Sequence, residues 1–192
     1  MELLKAVFET TRSGDRILVT LPDLYSFLTI SRSIANYNEP FWILWTDAAV
    51  ERINHLGRKY GFPVSGDALI VESRKDCIFL NGEKVELKDL PKTIKNLTYS
   101  VVISFGLNFL SLYNYSLNKA IEAIIEHESG LMFNCVINME NLTKLIPFHD
   151  VYLEVLQAEN PAISYHTYTA NLKFNMKGGI ATLSDTFSVY ES

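Results

Sequence analysis

The sequence predicts an α/β domain: a mostly parallel sheet between two layers of helices, finished by a C-terminal antiparallel hairpin. Three observations carry this. Short β-branched runs such as Arg16–Leu21 and Tyr99–Ser104 alternate little, as strands covered on both faces do. Amphipathic stretches at helical spacing separate these runs, the order that builds crossover connections. From Ile163 onward the pattern becomes alternating, the mark of antiparallel strands at a sheet edge. With 192 residues, 48% of them hydrophobic, residues 1–192 form one domain able to bury a substantial core.

In chain order, residues 2–12 alternate charge and bulk at helical spacing and predict a short amphipathic helix. They lack the basic start and continuous apolar stretch of a secretory signal, so a cytoplasmic location is expected. Arg16–Leu21 is the first strand. Pro22 marks a sharp turn, and Asp23 is the expected N-cap of a helix over Asp23–Tyr37. Pro40 precedes the second strand, Phe41–Trp45. Asp47–Tyr60 is a helix closed by Gly61 and Pro63, with Asp47 read as its N-cap. Ala68–Glu72 is a third strand. Residues 73–95 are more charged. They hold Cys77–Leu80 and Lys84–Leu87 on either side of Asn81-Gly82, the signature of a two-residue hairpin turn.

Tyr99–Ser104 is the next apolar strand, and Asn108–Glu126 reads as one helix ended by Ser129-Gly130. Residues 96–118 carry no formal charge. Asn108, Ser111 and Asn114 interrupt that stretch and Gly106 lies at its middle, so a buried strand and helix are expected rather than a membrane span. Leu131–Ile137 is a strand, Met139–Ile146 a short helix and Val151–Leu156 a strand. Ser164–Phe174 and Ile180–Tyr190 form a hairpin through Lys177-Gly178-Gly179. Its outer strand is expected to accept an extended segment.

Several kinds of chemistry lack their residues. A net charge of −5 gives no electrostatic basis for nucleic-acid binding. Cys77 and Cys135 lack metal-ligand spacing and read as reduced, buried thiols. Glu126-His127-Glu128 reads as a solvated helix end, since adjacent helical residues diverge. His149-Asp150 reads as a turn. There is no Gly-x-Ser-x-Gly elbow, and the glycines of 57–66 lack dinucleotide-binding spacing. No cofactor, metal or catalytic residue is expected.

In a parallel α/β sheet, ligands sit beyond the C-terminal strand ends. Here those ends are 21–27, 46–47, 104–108 and 138–141. The first carries Leu21-Pro22-Asp23-Leu24-Tyr25-Ser26-Phe27-Leu28-Thr29. Tyr25 and Phe27 are expected on the first helical turn, lining a filled or apolar groove. Trp42 and Trp45 read as core. Asp47, Ser104, Asn108 and Asn138 are the polar residues available for a residual site.

This order of elements, nearly the whole chain, resembles the RecA/KaiC-like branch of P-loop ATPases. More closely, it resembles a family of uncharacterised archaeal proteins that are degenerate relatives of that branch. The resemblance implies a three-layer RecA-like P-loop fold. It also places 21–29 where the ATPases carry their phosphate loop, and there the letters depart. Leu21 and Ser26 stand at glycine positions, Phe27 at the lysine position and Leu28 at a threonine position; Pro22 matches, and Thr29 is the other candidate match. Ser104 stands where the resemblance implies a magnesium-associated aspartate, and Asp47 is the carboxylate left near the catalytic-glutamate position. Phe27 cannot neutralise phosphate, and Leu28 cannot offer a hydroxyl to magnesium. The expectation is a non-catalytic pseudo-ATPase domain that binds protein or peptide or self-associates, with neither nucleic acid nor membrane as partner. The rival expectation is a divergent nucleotide- or small-molecule-binding enzyme using the strand ends.

Overall fold

The computed structural model describes residues 2–61, 66–113, 115–138, 143–158, 167–176 and 179–188. Expectations for Pro63, residues 139–142, Ser164–His166, Lys177-Gly178 and 189–190 fall outside these. Among the described residues ten strands form one sheet: β1 (Arg16–Leu21), β2 (Phe41–Leu44), β3 (Ala68–Glu72), β4 (Cys77–Leu80), β5 (Glu83–Glu86), β6 (Val101–Phe105), β7 (Leu131–Ile137), β8 (Val151–Gln157), β9 (Thr167–Met176) and β10 (Gly179–Ser188). Their order across the sheet is β10-β9-β8-β1-β7-β6-β2-β3-β4-β5. The six strands from β8 to β3 run parallel. Antiparallel pairs extend the sheet at both ends, β8–β9–β10 on one side and β3–β4–β5 on the other. The expected three-layer α/β fold is therefore present.

Alternation along the parallel strands divides the core. Ile17, Val19 and Leu21 of β1 face α1 (Glu2–Thr10), α2 (Leu24–Ala35) and α3 (Asp47–Tyr60). Leu18 faces the other layer, made by α4 (Leu90–Lys95), α5 (Leu117–Ile125) and the 3-10 turns of 107–113 and 143–148. Both faces are apolar, which is why these strands read as continuous runs. Trp42 and Trp45 are fully buried on opposite faces, as expected of core residues. Among the described residues no helix is long and apolar enough to cross a membrane.

Three expectations are corrected. The single helix over Asn108–Glu126 is a 3-10 segment, Leu107–Tyr113, followed by the separate α5. Gly106, at φ +103°, turns the chain abruptly after β6, and the Asn108 side chain then binds the Ile137 backbone, tying the segment to the end of β7. Helix α4 follows the expected hairpin within the charged stretch 73–95, where the sequence predicts no helix. Its buried Leu90 and Ile94, four residues apart, form a one-turn apolar stripe, and Pro91 sits in its first turn. Finally, α5 ends at Ile125 with Glu126 as its C-cap, within a residue of the expected end, so Ser129-Gly130 is not what stops it.

Candidate functional site

The C-terminal end of β1 is one of the strand ends beyond which a parallel α/β sheet binds ligands. The chain leaves Leu21, crosses Pro22 and Asp23 and enters α2 at Leu24. Asp23 is extended, at φ −158°, and caps the helix as expected: its Oδ1 accepts from the Ser26 amide at 2.9 Å and the Ser26 hydroxyl at 3.0 Å. Its Oδ2 accepts from the Tyr168 hydroxyl of β9 at 2.8 Å. Burial raises the Tyr168 phenol above its ordinary range, and the bond to Asp23 raises it further. A protein carboxylate thus takes the anionic place at this helix N-terminus.

The rest of the turn is packed. Leu21, Phe27 and Leu28 are buried, and Phe27 stacks on Phe105 with ring centroids 4.4 Å apart. Phe27 lies wholly inside the core, so of the filled or apolar groove expected at Tyr25 and Phe27 it is the filled form that the turn adopts. Tyr25 instead meets Tyr60 edge-on, their hydroxyls 3.3 Å apart. Thr29 donates its hydroxyl to the Tyr25 carbonyl at 3.0 Å, within its own helix.

Replacing Asp23 with Ala should cost about 0.5–2 kcal/mol through the lost cap. Removing the acceptor of the Tyr168 hydroxyl should add about 0.5–1.5 kcal/mol. Asp23→Asn, which keeps a capping oxygen, should lose less. Urea unfolding of the two variants checks the ranking, and equal stabilities would remove the cap assignment.

The four polar strand-end residues do not converge. Ser104 is buried, and its hydroxyl accepts from the Trp45 indole at 2.8 Å. Asn108 is held by the Ile137 backbone. Asn138 sits at φ +55° and donates its amide to the Leu21 carbonyl at 3.1 Å. Asn108 and Asn138 border a cavity of about 250 Å³ with Leu107, Leu110 and Tyr115, and neither Ser104 nor Asp47 lines it. Asp47 is not the N-cap of α3. Thr46 is: it is extended, and its hydroxyl accepts from the Ala49 amide at 3.1 Å. Asp47 follows in the first turn, where its charge favours the helix dipole. Its Oδ1 has no hydrogen-bond partner among the described residues. Nearby, Lys75 pairs with Glu72 at 2.6 Å. That hydrogen bond is the main cause of the raised Lys75 pKa, with a smaller contribution from Asp47.

Sequence reasoning missed a second polar group, at the opposite end of the strands. His127 is 2% exposed, so it is not part of a solvated helix end. Its flanking Glu126 and Glu128 do reach out, to Lys95 at 3.6 and 2.9 Å. His149 lies in the expected turn, but its ring points inward. Nδ1 donates to the Leu145 carbonyl at 2.7 Å, leaving Nε2 to accept from the Asn134 amide at 2.9 Å. Arg16 bridges the group, donating from Nη1 to the Ile125 carbonyl at 3.1 Å and lying 3.7 Å from Asp150. No local pattern announces this group, because its members come from β1, β7 and two connections. Cys77 and Cys135 are buried and free, as expected.

No family model matches the chain. Over its whole length it is 42% identical, across 196 residues, to an uncharacterised protein of Archaeoglobus fulgidus, which is likewise covered in full. Among solved structures it is similar to the RadB recombinase. The TM-score is 0.53 at 11% sequence identity, covering 97% of this chain and 93% of that one. At that identity the likeness establishes a RecA-like fold.

Proposed function

We propose that this chain, which belongs to the same protein family as the Archaeoglobus fulgidus relative, is a non-catalytic protein-interaction domain on a RecA-like frame. The observation that carries the reading is the Asp23 carboxylate bonded to the N-terminus of α2. A phosphate there would meet a like charge in place of free amides, with Phe27 buried where an ammonium would be needed. A fold relieved of nucleotide chemistry retains its sheet edges and helical faces for binding a peptide or a second copy.

Calorimetric titration with Mg-ATP tests this. No binding heat is expected, and a dissociation constant at or below about 10 μM, roughly −7 kcal/mol, would overturn the reading. The rival reading, a small-molecule or nucleotide-binding enzyme at the strand ends, has the Asn108–Asn138 cavity in its favour. Saturable ATP binding abolished by Asn138→Ala would favour that rival.

A further inference from the structure

The two edges of the ten-stranded sheet differ sharply. At one, β5 has four residues, three of them charged (Glu83, Lys84 and Glu86). Short length and charge are the devices that keep an edge from pairing. At the other, β10 runs for ten residues with Asp185 as its one charge and with no proline. Among the described residues, nothing pairs with its outer side.

Which groups that side presents follows from the ladder. The Ala158 amide donates to the Thr167 carbonyl at 2.8 Å, just beyond the Gln157–Tyr168 pair of β8 and β9. Backbone bonding alternates along an antiparallel strand. Thr169, Asn171 and Lys173 therefore bond toward β8, and Tyr168, Ala170, Leu172 and Phe174 bond toward β10. Their partners on β10 are Phe187, Asp185, Leu183 and Ala181. Ile180, Thr182, Ser184, Thr186 and Ser188 consequently direct their N–H and C=O groups to the open edge. Side chains of these five share one sheet face, on which Ser184 donates to Asn171 at 2.7 Å.

We infer that this edge pairs with β10 of a second copy of the chain, antiparallel, about a two-fold axis at Ser184. The inference rests on the interaction reading above and names its partner. In that register Ile180 meets Ser188 of the second copy, Thr182 meets Thr186 and Ser184 meets Ser184. All five outward-bonding residues are matched and none is left over. Asp185 falls opposite Leu183 rather than another carboxylate, so the strand's one charge is not set against itself. Ile180 and Leu183, 70% and 45% exposed, are the large apolar side chains that β10 leaves in water, and both are drawn into the paired region. A two-fold axis normal to the sheet keeps each face continuous across the junction.

Sedimentation or light scattering of the full chain, with paired substitutions, tests both partner and register. Wild type should form a dimer that dissociates on dilution. Thr182→Glu with Thr186→Glu sets two carboxylate pairs across the axis and should weaken the dimer at least about tenfold. Within the chain, Thr182 lies opposite Lys173, so its new carboxylate is accommodated in the monomer. Thr182→Glu with Thr186→Lys sets opposite charges across the same axis and should restore the dimer to within about threefold of wild type. Circular dichroism of each variant should match wild type. If either variant unfolds, Ser184→Lys, which sets two like charges at the axis, supplies the weakening arm. A chain monomeric at about 100 μM, roughly −5.5 kcal/mol, overturns the inference. So does a dimer that neither charge pattern affects, although association through another surface would leave the interaction reading standing. Capture of an unrelated extended peptide on β10 with no self-association would also overturn it. Mg-ATP binding bears on the parent reading alone.

Discussion

Gly130→Ala is expected to lower stability by about 3–5 kcal/mol, a large share of what a domain of this size possesses. Gly130 sits at φ +70°, a conformation that L side chains rarely adopt. A methyl group there would lie 2.1 Å from the Tyr99 carbonyl oxygen and 2.7 Å from that of Ser100. Neither neighbour can give way easily, because the local backbone is fastened on several sides. The Gly130 amide donates to the Ser13 hydroxyl at 2.9 Å, its carbonyl accepts from the Gly14 amide at 2.7 Å, and the Leu131 amide donates to the Ser100 carbonyl at 2.9 Å. These contacts gather the starts of β1, β6 and β7, so a shift at Gly130 disturbs three central strands together. Gly61 is the control. It has φ +60° but nothing within 4 Å of the corresponding methyl, so Gly61→Ala should cost only about 1–2 kcal/mol of backbone strain. Urea unfolding of both variants checks the contrast. A Gly130→Ala protein within about 1 kcal/mol of wild type would mean that the three strand starts are not locked in this way.

Gly130 also marks where sequence pattern stops being informative. Ser129-Gly130 reads as a helix stop, because glycine is the common residue just past a helix end. Helix α5 has ended by then, and this glycine answers to a backbone 30 positions earlier in the chain. Signals generated by neighbouring residues fared better. Arg16–Leu21 and Leu131–Ile137 are legible to the residue because both faces of each strand are buried, leaving mostly apolar runs in which only Thr20 and Asn134 stand as buried polar residues past Arg16. The Asn81-Gly82 turn is legible because its positive φ values, 50° and 86°, suit those two residues. Helix α4 is hidden because a single turn supplies only Leu90 and Ile94 to a pattern that needs several repeats.

The same division runs through the candidate site. The Asp23 cap is a local matter, three residues from the amide it binds, and it is readable from the chain. Its second partner, Tyr168, lies 145 residues away and no spacing foretells it. Thr46 and Asp47 are adjacent and both suit an N-cap; the extended backbone at Thr46, φ −157° and ψ 163°, decides between them. Ser104 reads as a polar strand-end residue available for a residual site, yet it serves the Trp45 indole, which would otherwise be a buried donor without an acceptor.

Acid should destabilise the protein in a window set by two histidines. Burial holds His127 at a pKa of about 4, and the positive charge of Arg16 pushes in the same direction; the Gly130 backbone opposes them in part. Burial likewise holds His149 at about 4. There the Leu145 carbonyl and Asp150 oppose it, while Arg16 adds to it. In the unfolded chain each imidazole titrates near 6.5. Above that value both rings are neutral whether the chain is folded or not, and stability does not depend on them. Between 6.5 and 4 the unfolded chain takes up protons that the folded chain refuses, so stability falls as pH falls. The slope is about 1.4 kcal/mol per pH unit for each ring, and the full loss about 3 kcal/mol each. Most of the drop from pH 6.5 to 5 precedes the range in which ordinary carboxylates titrate, which separates the two effects. Urea unfolding at pH 7.5 and pH 5.0 should therefore differ by about 4 kcal/mol in wild type. His127→Phe fills the same buried space without a titrating group and should roughly halve that difference. His149 is the harder ring to replace, because Asn134 and Leu145 both depend on it. A wild-type stability flat from pH 7.5 to 5.0, or a His127→Phe variant with the full wild-type slope, would mean that these rings accept protons in the folded state and are not held neutral by burial.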